Sequence, residues 1–235
     1  MMKSKAVKAV IMLMELGKID FMHLPPSVRE TKKVALAAVR QDPKNLFFTS
    51  QMRDDYDAVK GAVERDGMML AYASKRLRYK KELAELAVRQ TGKAFSLLPK
   101  ELRKSPKLLR LALETSPDAI LHGFAFQKHD PGLVMMAVKG DPDLLGELVH
   151  DDALYASDFS EYADTPWALD SDHYVVCKNR DIVLEAVKGC GAMVQYASDA
   201  LKRDPDVVRA ALKEEPDAYV YLDEGMPKRL GFYEE

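Results

Sequence analysis

Apolar residues recur along the chain in one frame. A small residue followed by a larger apolar one stands at Ala38-Val39, Ala62-Val63, Ala87-Val88, Ala112-Leu113, Ala137-Val138, Ala186-Val187 and Ala211-Leu212, with Glu161-Tyr162 in the same place between the fifth and the seventh. Five residues before the larger member come Val34, Ala58, Leu83, Leu108, Leu133, Ser157, Ile182 and Val207, which is the spacing of one face of an amphipathic helix. Thr31, Asp55, Lys80, Ser105, Asp130, Leu154, Asn179 and Asp204 precede that face; six of them are good N-caps, and Pro106, Pro131 and Pro205 follow at the favoured first helical position. This is helix A.

Four residues after each large member the frame is punctuated by Pro43, Gly67, Gly92, Pro117, Pro142, Pro166, Gly191 and Pro216, at intervals of 24 or 25 residues. The marker is preceded mostly by Asp, Thr or Ser, a cap followed by a preset turn, so a helix B opens there. Three residues past it every unit is apolar, at Leu46, Leu70, Phe95, Ile120, Leu145, Leu169, Val194 and Tyr219. Segments such as Tyr72-Ala73-Ser74 leading to Leu77-Arg78 then predict a short turn before the next helix A.

Units this short cannot bury their own apolar faces, so the frame predicts an all-α protein of tandem 24–25-residue two-helix repeats stacked as an α-solenoid, with helices of about ten residues. The expected organisation is a single helical-repeat domain over 1–235: a partial N-terminal unit at 1–30, eight full units over about 31–224, and a C-terminal cap at 225–235 built on Leu230 and Phe232. A Pro or a charge in an alanine slot should be felt along the array.

With 35 Lys and Arg against 37 Asp and Glu, the net charge of −2 offers no global attraction to nucleic acid or to an anionic membrane. No stretch approaches the roughly 18 consecutive apolar residues of a membrane span. The opening segment Met1 to Leu16 is interrupted by Lys8 and reads as a first helix, not a leader. Cys177 and Cys190 are too few for a disulfide framework, so a reducing cytoplasm is the expected location, while export by a route without a standard signal stays open.

The stretches Ala62-Val63-Glu64-Arg65-Asp66-Gly67 with Leu70-Ala71-Tyr72-Ala73-Ser74, and Asp181 to Arg203 with Ala186-Val187-Lys188-Gly189, resemble the tandem repeats of the domain-of-unknown-function family numbered 4116. The resemblance implies a short helical repeat and no particular activity; fold does not carry function in any case.

Catalytic apparatus is not legible. The histidines His23, His122, His129, His150 and His173 have no spacing that sets two ligands on one helical turn, and Gly189-Cys190-Gly191 lacks the third glycine and the strand of a phosphate loop. No cofactor or metal is expected. The acids Asp151, Asp152, Asp158, Asp164, Asp170 and Asp172 lack the ordered spacing of a calcium loop.

Charge is distributed unevenly. From Lys75 to Arg110 there are twelve Lys or Arg against three acids, and from Gly140 to Cys177 ten acids and no Lys or Arg. Side-by-side stacking of consecutive units turns these runs into a basic patch of Lys75, Arg76, Arg78, Lys93, Lys100, Arg103 and Lys107 and an acidic one near the sixth unit. The slot after the marker varies chemically (Lys44, Met68, Lys93, Asp118, Asp143, Trp167, Ala192, Asp217) and is expected to face solvent. The sixth unit departs most from the frame and should be reshaped; there Trp167, with Tyr155, Tyr162, Tyr174, His173, Asp158, Glu161 and Asp164, forms the candidate contact surface, unless Trp167 fills the space left by the irregular helix.

Three functions fit. The first is a non-enzymatic scaffold for an unknown protein or peptide, whose charged ends could also orient copies of the chain head to tail. The second is single-stranded RNA binding through the basic patch, disfavoured by the acidic half and by the short extent of the patch. The third is an enzyme of unrecognised type among the carboxylates between His150 and His173.

Overall fold

The structure, a computed structural model, describes residues 4–155, 176–223 and 225–232, and of 151–155 the backbone alone. Among the described residues there is helix and no strand. The long helices are α1 (Ser4–Glu15), α2 (Lys32–Gln41), α3 (Tyr56–Arg65), α4 (Lys81–Gln90), α5 (Pro106–Leu113), α6 (Pro131–Gly140), α7 (Leu144–Tyr155), α8 (Arg180–Gly189) and α9 (Pro205–Glu214). Six of these, α2 to α6 and α8, together with α9, are the expected helix A, and each described Ala slot and large-residue slot is buried.

The predicted caps are placed as expected. Asp55 accepts from the Ala58 N–H (3.1 Å), Asp130 from Gly132 and Leu133 (2.8 and 3.0 Å), Asn179 from Asp181 and Ile182 (3.1 Å each), and Asp204 from Asp206 and Val207 (2.9 and 3.2 Å). Thr31 and Ser105 sit at the cap without making that bond; the Thr31 hydroxyl donates back to the Ser27 carbonyl.

Helix B differs from the expectation of about ten α-helical residues. After the marker the chain makes six residues of 3₁₀ helix, at Pro43–Phe48, Gly67–Tyr72, Gly92–Leu97, Pro117–His122, Gly191–Tyr196 and Pro216–Tyr221. In a 3₁₀ helix residues three apart eclipse. That geometry buries the marker together with the apolar residue three past it: Pro43 with Leu46, Gly67 with Leu70, Gly92 with Phe95, Gly191 with Val194. The predicted short turns follow, as the one-turn helices Pro26–Arg29, Lys75–Arg78, Lys100–Arg103 and Ala125–Lys128 and the 3₁₀ turns Met52–Asp54, Val176–Lys178 and Leu201–Arg203.

The chain divides into two compact units, Met1–Ser116 and Pro117–Glu235. In the first, α1 to α5 pack in sequence order, each against the next, and each 3₁₀ segment packs against the following long helix. The approach is closest at the glycine markers: a Cβ on Gly67 would lie 2.3 Å from the Ala87 carbonyl oxygen, and one on Gly92 2.2 Å from that of Ala112. The same marker N–H groups are taken by the next repeat, Gly67 by the Gln90 side chain (2.7 Å) and Gly92 by the Thr115 hydroxyl (2.8 Å). At these two glycine markers the first backbone donor of the 3₁₀ segment is thus satisfied across the repeat boundary.

In the second unit α6 packs directly on α8, and α8 on α9. The proline markers here rest on glycine: a Cβ on Gly140 would meet the Pro117 ring at 2.3 Å, and one on Gly189 the Pro142 ring at the same distance. The first pair is one repeat apart in sequence; the second is two. The expectation that consecutive units lie side by side therefore fails once: the fifth repeat is joined to the seventh. In place of the six-residue 3₁₀ helix the fifth repeat carries α7, whose Leu144, Leu145 and Leu148 are buried and which packs on Val176–Lys178 and Gly191–Tyr196. In the last described repeat Tyr219, at the slot buried in the other described repeats, is 50% exposed. The segment Gly225–Arg229 packs on α9 through Pro227, while Phe232 remains exposed.

Candidate interaction surface

The basic residues predicted from sequence all fall in the first unit. Lys75, Arg76 and Arg78 lie on the turn Lys75–Arg78, Lys100 and Arg103 on the equivalent turn one repeat later, and Lys93 at an exposed position on the 3₁₀ helix between them. Arg76 and Lys107 are engaged across repeats. Arg76 pairs with Asp54 (3.1 Å), which also accepts from the Ser74 hydroxyl, and Lys107 pairs with Glu85 (2.8 Å). The Ser74 hydrogen bond, reinforced by Arg76, holds the Asp54 carboxyl below the ordinary carboxylate range, and Lys107 does the same for Glu85. Lys32 reaches Asp55 at 2.8 Å, lowering that carboxyl and raising its own pKa. The pattern repeats in the second unit. Arg180 bonds Asp204 (2.9 Å) and Asp206 (2.6 Å), Arg203 bonds Asp223 (2.8 Å), and both Asp204 and Asp223 are lowered by their arginine partners. These ion pairs bridge neighbouring repeats and serve packing first.

Sequence reasoning missed an aromatic and cationic group beside the patch. Phe47 is 50% exposed and Tyr72 36%, and their rings meet edge to face at 5.3 Å. The Arg53 guanidinium lies 5.6 Å over the Phe47 ring and donates to the Phe47 carbonyl. Part of the signal was present in the sequence: Phe48, the ring neighbour of Phe47, shares with Tyr72 the fifth position past the marker, and Arg53 sits one residue after the buried Met52 as Arg78 does after Leu77. The slot after the marker is exposed at Lys44, Met68, Lys93, Asp118, Asp143 and Asp217, as expected, and half-buried at Ala192.

Trp167, Tyr162, Tyr174, His173, Asp158, Glu161 and Asp164 lie outside the described residues, and of Tyr155 only the backbone is described. A recess of about 320 Å³ near α1 is lined by Met14, Ile19, Asp20, Phe21, Gln41 and Asn45; its amides are occupied, Gln41 by the Met14 carbonyl and Asn45 by that of Ala38. Among the described residues no group of three His, Cys, Asp or Glu could hold a metal ion, and no helix is long and apolar enough to cross a membrane.

Fold and surface together define a tandem helical-repeat protein with a cationic, aromatic-bearing first unit. The family model for the Domain of unknown function (DUF4116) matches the chain twice, over residues 55–103 and 179–226, one match falling within each compact unit. Each match spans two consecutive repeats, in the stretches where the frame is unbroken. No curated protein and no solved structure is similar to the chain at a significant level.

Proposed function

We propose that the chain is a non-enzymatic α-solenoid scaffold that binds a protein or peptide, with the first unit taking an acidic partner. One observation carries this reading: residues 1–116 hold 24 Lys and Arg against 13 Asp and Glu, and residues 117–235 hold 11 against 24. The near-neutral chain is thus two compact units of opposite sign, and a field of that kind steers a charged partner and sets its orientation. The exposed Phe47 and Tyr72 supply the apolar anchors that a purely solvated charged face lacks.

A second reading, single-stranded RNA, draws on the same residues, because bases stack on aromatic rings set among cations. Capture from the lysate of the source cell, with and without nuclease, separates the two. Three baits are compared: the natural chain, one carrying Arg53→Gln with Arg78→Gln, and one carrying Trp167→Ala with Asp158→Lys. A nuclease-resistant protein lost from the second bait supports the acidic-partner reading. Loss from the third alone moves the surface to the sixth unit, and a nuclease-sensitive signal replaces the scaffold with RNA binding.

A further inference from the structure

The short turns of the first unit share a residue pattern that the basic patch as a whole obscures. Each places an arginine directly after an apolar residue, half-buried at Val28-Arg29 and buried at Met52-Arg53, Leu77-Arg78 and Leu102-Arg103, at steps of 24, 25 and 25 residues. Hydrogen bonds link the first three of these turns in order. The Ser50 N–H donates to Glu30 (3.2 Å) and the Ser74 N–H to the Arg53 carbonyl (2.7 Å), so the arginines advance by one repeat per step. In all four the Nε is enclosed in protein, and for Arg29, Arg53 and Arg78 it meets no acceptor. A buried donor without an acceptor is destabilising, and a lysine or an apolar residue would avoid it. What the arrangement gains is a guanidinium whose stem is already fixed by packing, so little rotamer entropy remains to be lost on binding. The neighbouring acids are engaged elsewhere, Glu30 by Ser50 and Asp54 by Ser74 and Arg76; Glu101 is the exposed one.

We infer that Arg29, Arg53, Arg78 and Arg103 form a track for an acidic peptide in the polyproline II conformation, with a carboxylate at every third residue. The inference rests on the scaffold reading and names its ligand. A guanidinium fork matches a carboxylate, two parallel bonds at a time. Packed helices lie about 8–10 Å apart, and a step of that size is what the track takes for arginines borne one repeat apart. A polyproline II helix has three residues per turn and a rise of about 3.1 Å, so every third side chain returns to one face after roughly 9 Å. An extended strand presents a face every second residue, at roughly 7 Å or 13 Å, and falls out of step. The prolines of such a ligand also need aromatic surface, and polyproline segments dock in aromatic-lined grooves. Phe47 and Tyr72 provide it beside Arg53.

The test is fluorescence anisotropy on the full chain with two peptides of one composition. One holds about five Glu-Pro-Pro units; the other has its glutamates contiguous and its prolines after them. An oligouridylate of equal charge is the third probe. The periodic peptide is expected to bind at least about tenfold more tightly than its isomer at physiological salt. Arg53→Gln and Arg78→Gln should each weaken it about tenfold with the thermal midpoint retained, and Lys81→Gln, exposed on α4 and off the track, should leave it within about twofold. Equal affinity for the two peptides overturns the track and leaves the scaffold reading standing, since an acidic chain would still be bound. Oligouridylate binding alone overturns both. Binding of no probe, or binding indifferent to Arg53 and Arg78, also overturns the track.

Discussion

Residues 1–116 and 117–235 are built on one frame and use it differently. In the first unit every long helix finds its sequence neighbour, from α1 through α5. In the second, α6 passes over a whole period and packs on α8. The slots explain why this is feasible. Each helix A offers its neighbours the same face, a buried Ala beside a buried Val or Leu, so any regular repeat can follow any other. The unit passed over is the one whose slot reads Glu161-Tyr162, a charge and a bulky ring where the others have Ala and a branched aliphatic residue. A repeat array therefore chooses its contacts by slot chemistry and not by order in the sequence.

The largest expected effect sets one slot against its counterpart in the other unit. Phe95 is fully buried three residues past its marker, and Tyr219, at the same place in the last repeat, is half exposed. Phe95→Ala should cost about 3–5 kcal/mol and Tyr219→Ala within about 0.5 kcal/mol, read from urea unfolding. Similar costs at the two sites would mean that the last repeat is covered in solution.

The skipped period is sharpened by a double-mutant cycle. Gly189→Ala drives a Cβ into the Pro142 ring and should cost about 1–3 kcal/mol. Pro142→Ala removes the obstacle, so the pair should couple by about 1 kcal/mol or more; simple additivity would show that the fifth and seventh repeats do not meet. A smaller effect comes from the cross-repeat bonds of the first unit. Thr115→Val leaves the Gly92 N–H without its acceptor and should cost about 1 kcal/mol, measurable as faster hydrogen exchange at Gly92.

Much of this was legible in the residues. The Ala slots, the caps Asp55, Asp130, Asn179 and Asp204, and the apolar position past the marker reported burial and helix starts because each is a local requirement repeated many times. Helix B was misjudged in length because a cap and an apolar residue three positions on suit an α-helix and a 3₁₀ helix alike. The complement of Pro117 with Gly140, and of Pro142 with Gly189, lay two residues before a marker and looked like ordinary helix ends; only packing shows that a ring fills the place of a missing side chain. The basic patch was visible as composition. Its division into arginines pinned by their stems, cations neutralised by Asp54 and Glu85, and exposed rings at Phe47 and Tyr72 depends on contacts between repeats, which no single unit encodes.

The smallest expected effect is acid sensitivity, and it too distinguishes the units. Asp54, Asp55 and Glu85 in the first unit and Asp204 and Asp223 in the second hold their protons less tightly in the folded chain than in the unfolded one. Their contribution is complete above the ordinary carboxylate range near pH 4 and is lost as pH falls through and below it. Each pair has an exposed cation, so each loss is modest. The background charge decides which unit responds more. Protonating carboxylates leaves the excess cations of residues 1–116 further from neutrality, while it carries the acid-rich residues 117–235 through neutrality to a smaller positive charge than that of the first unit. Hydrogen exchange read by mass spectrometry, corrected for the intrinsic rates at pH 6 and pH 3, should therefore show earlier opening in α2 to α5 than in α8 and α9, and Asp54→Asn should reduce that difference. The reverse order would mean that the bonds of Arg180 and Arg203 to Asp204 and Asp223 outweigh net charge, and that charge separation between the units serves binding without a cost to folding.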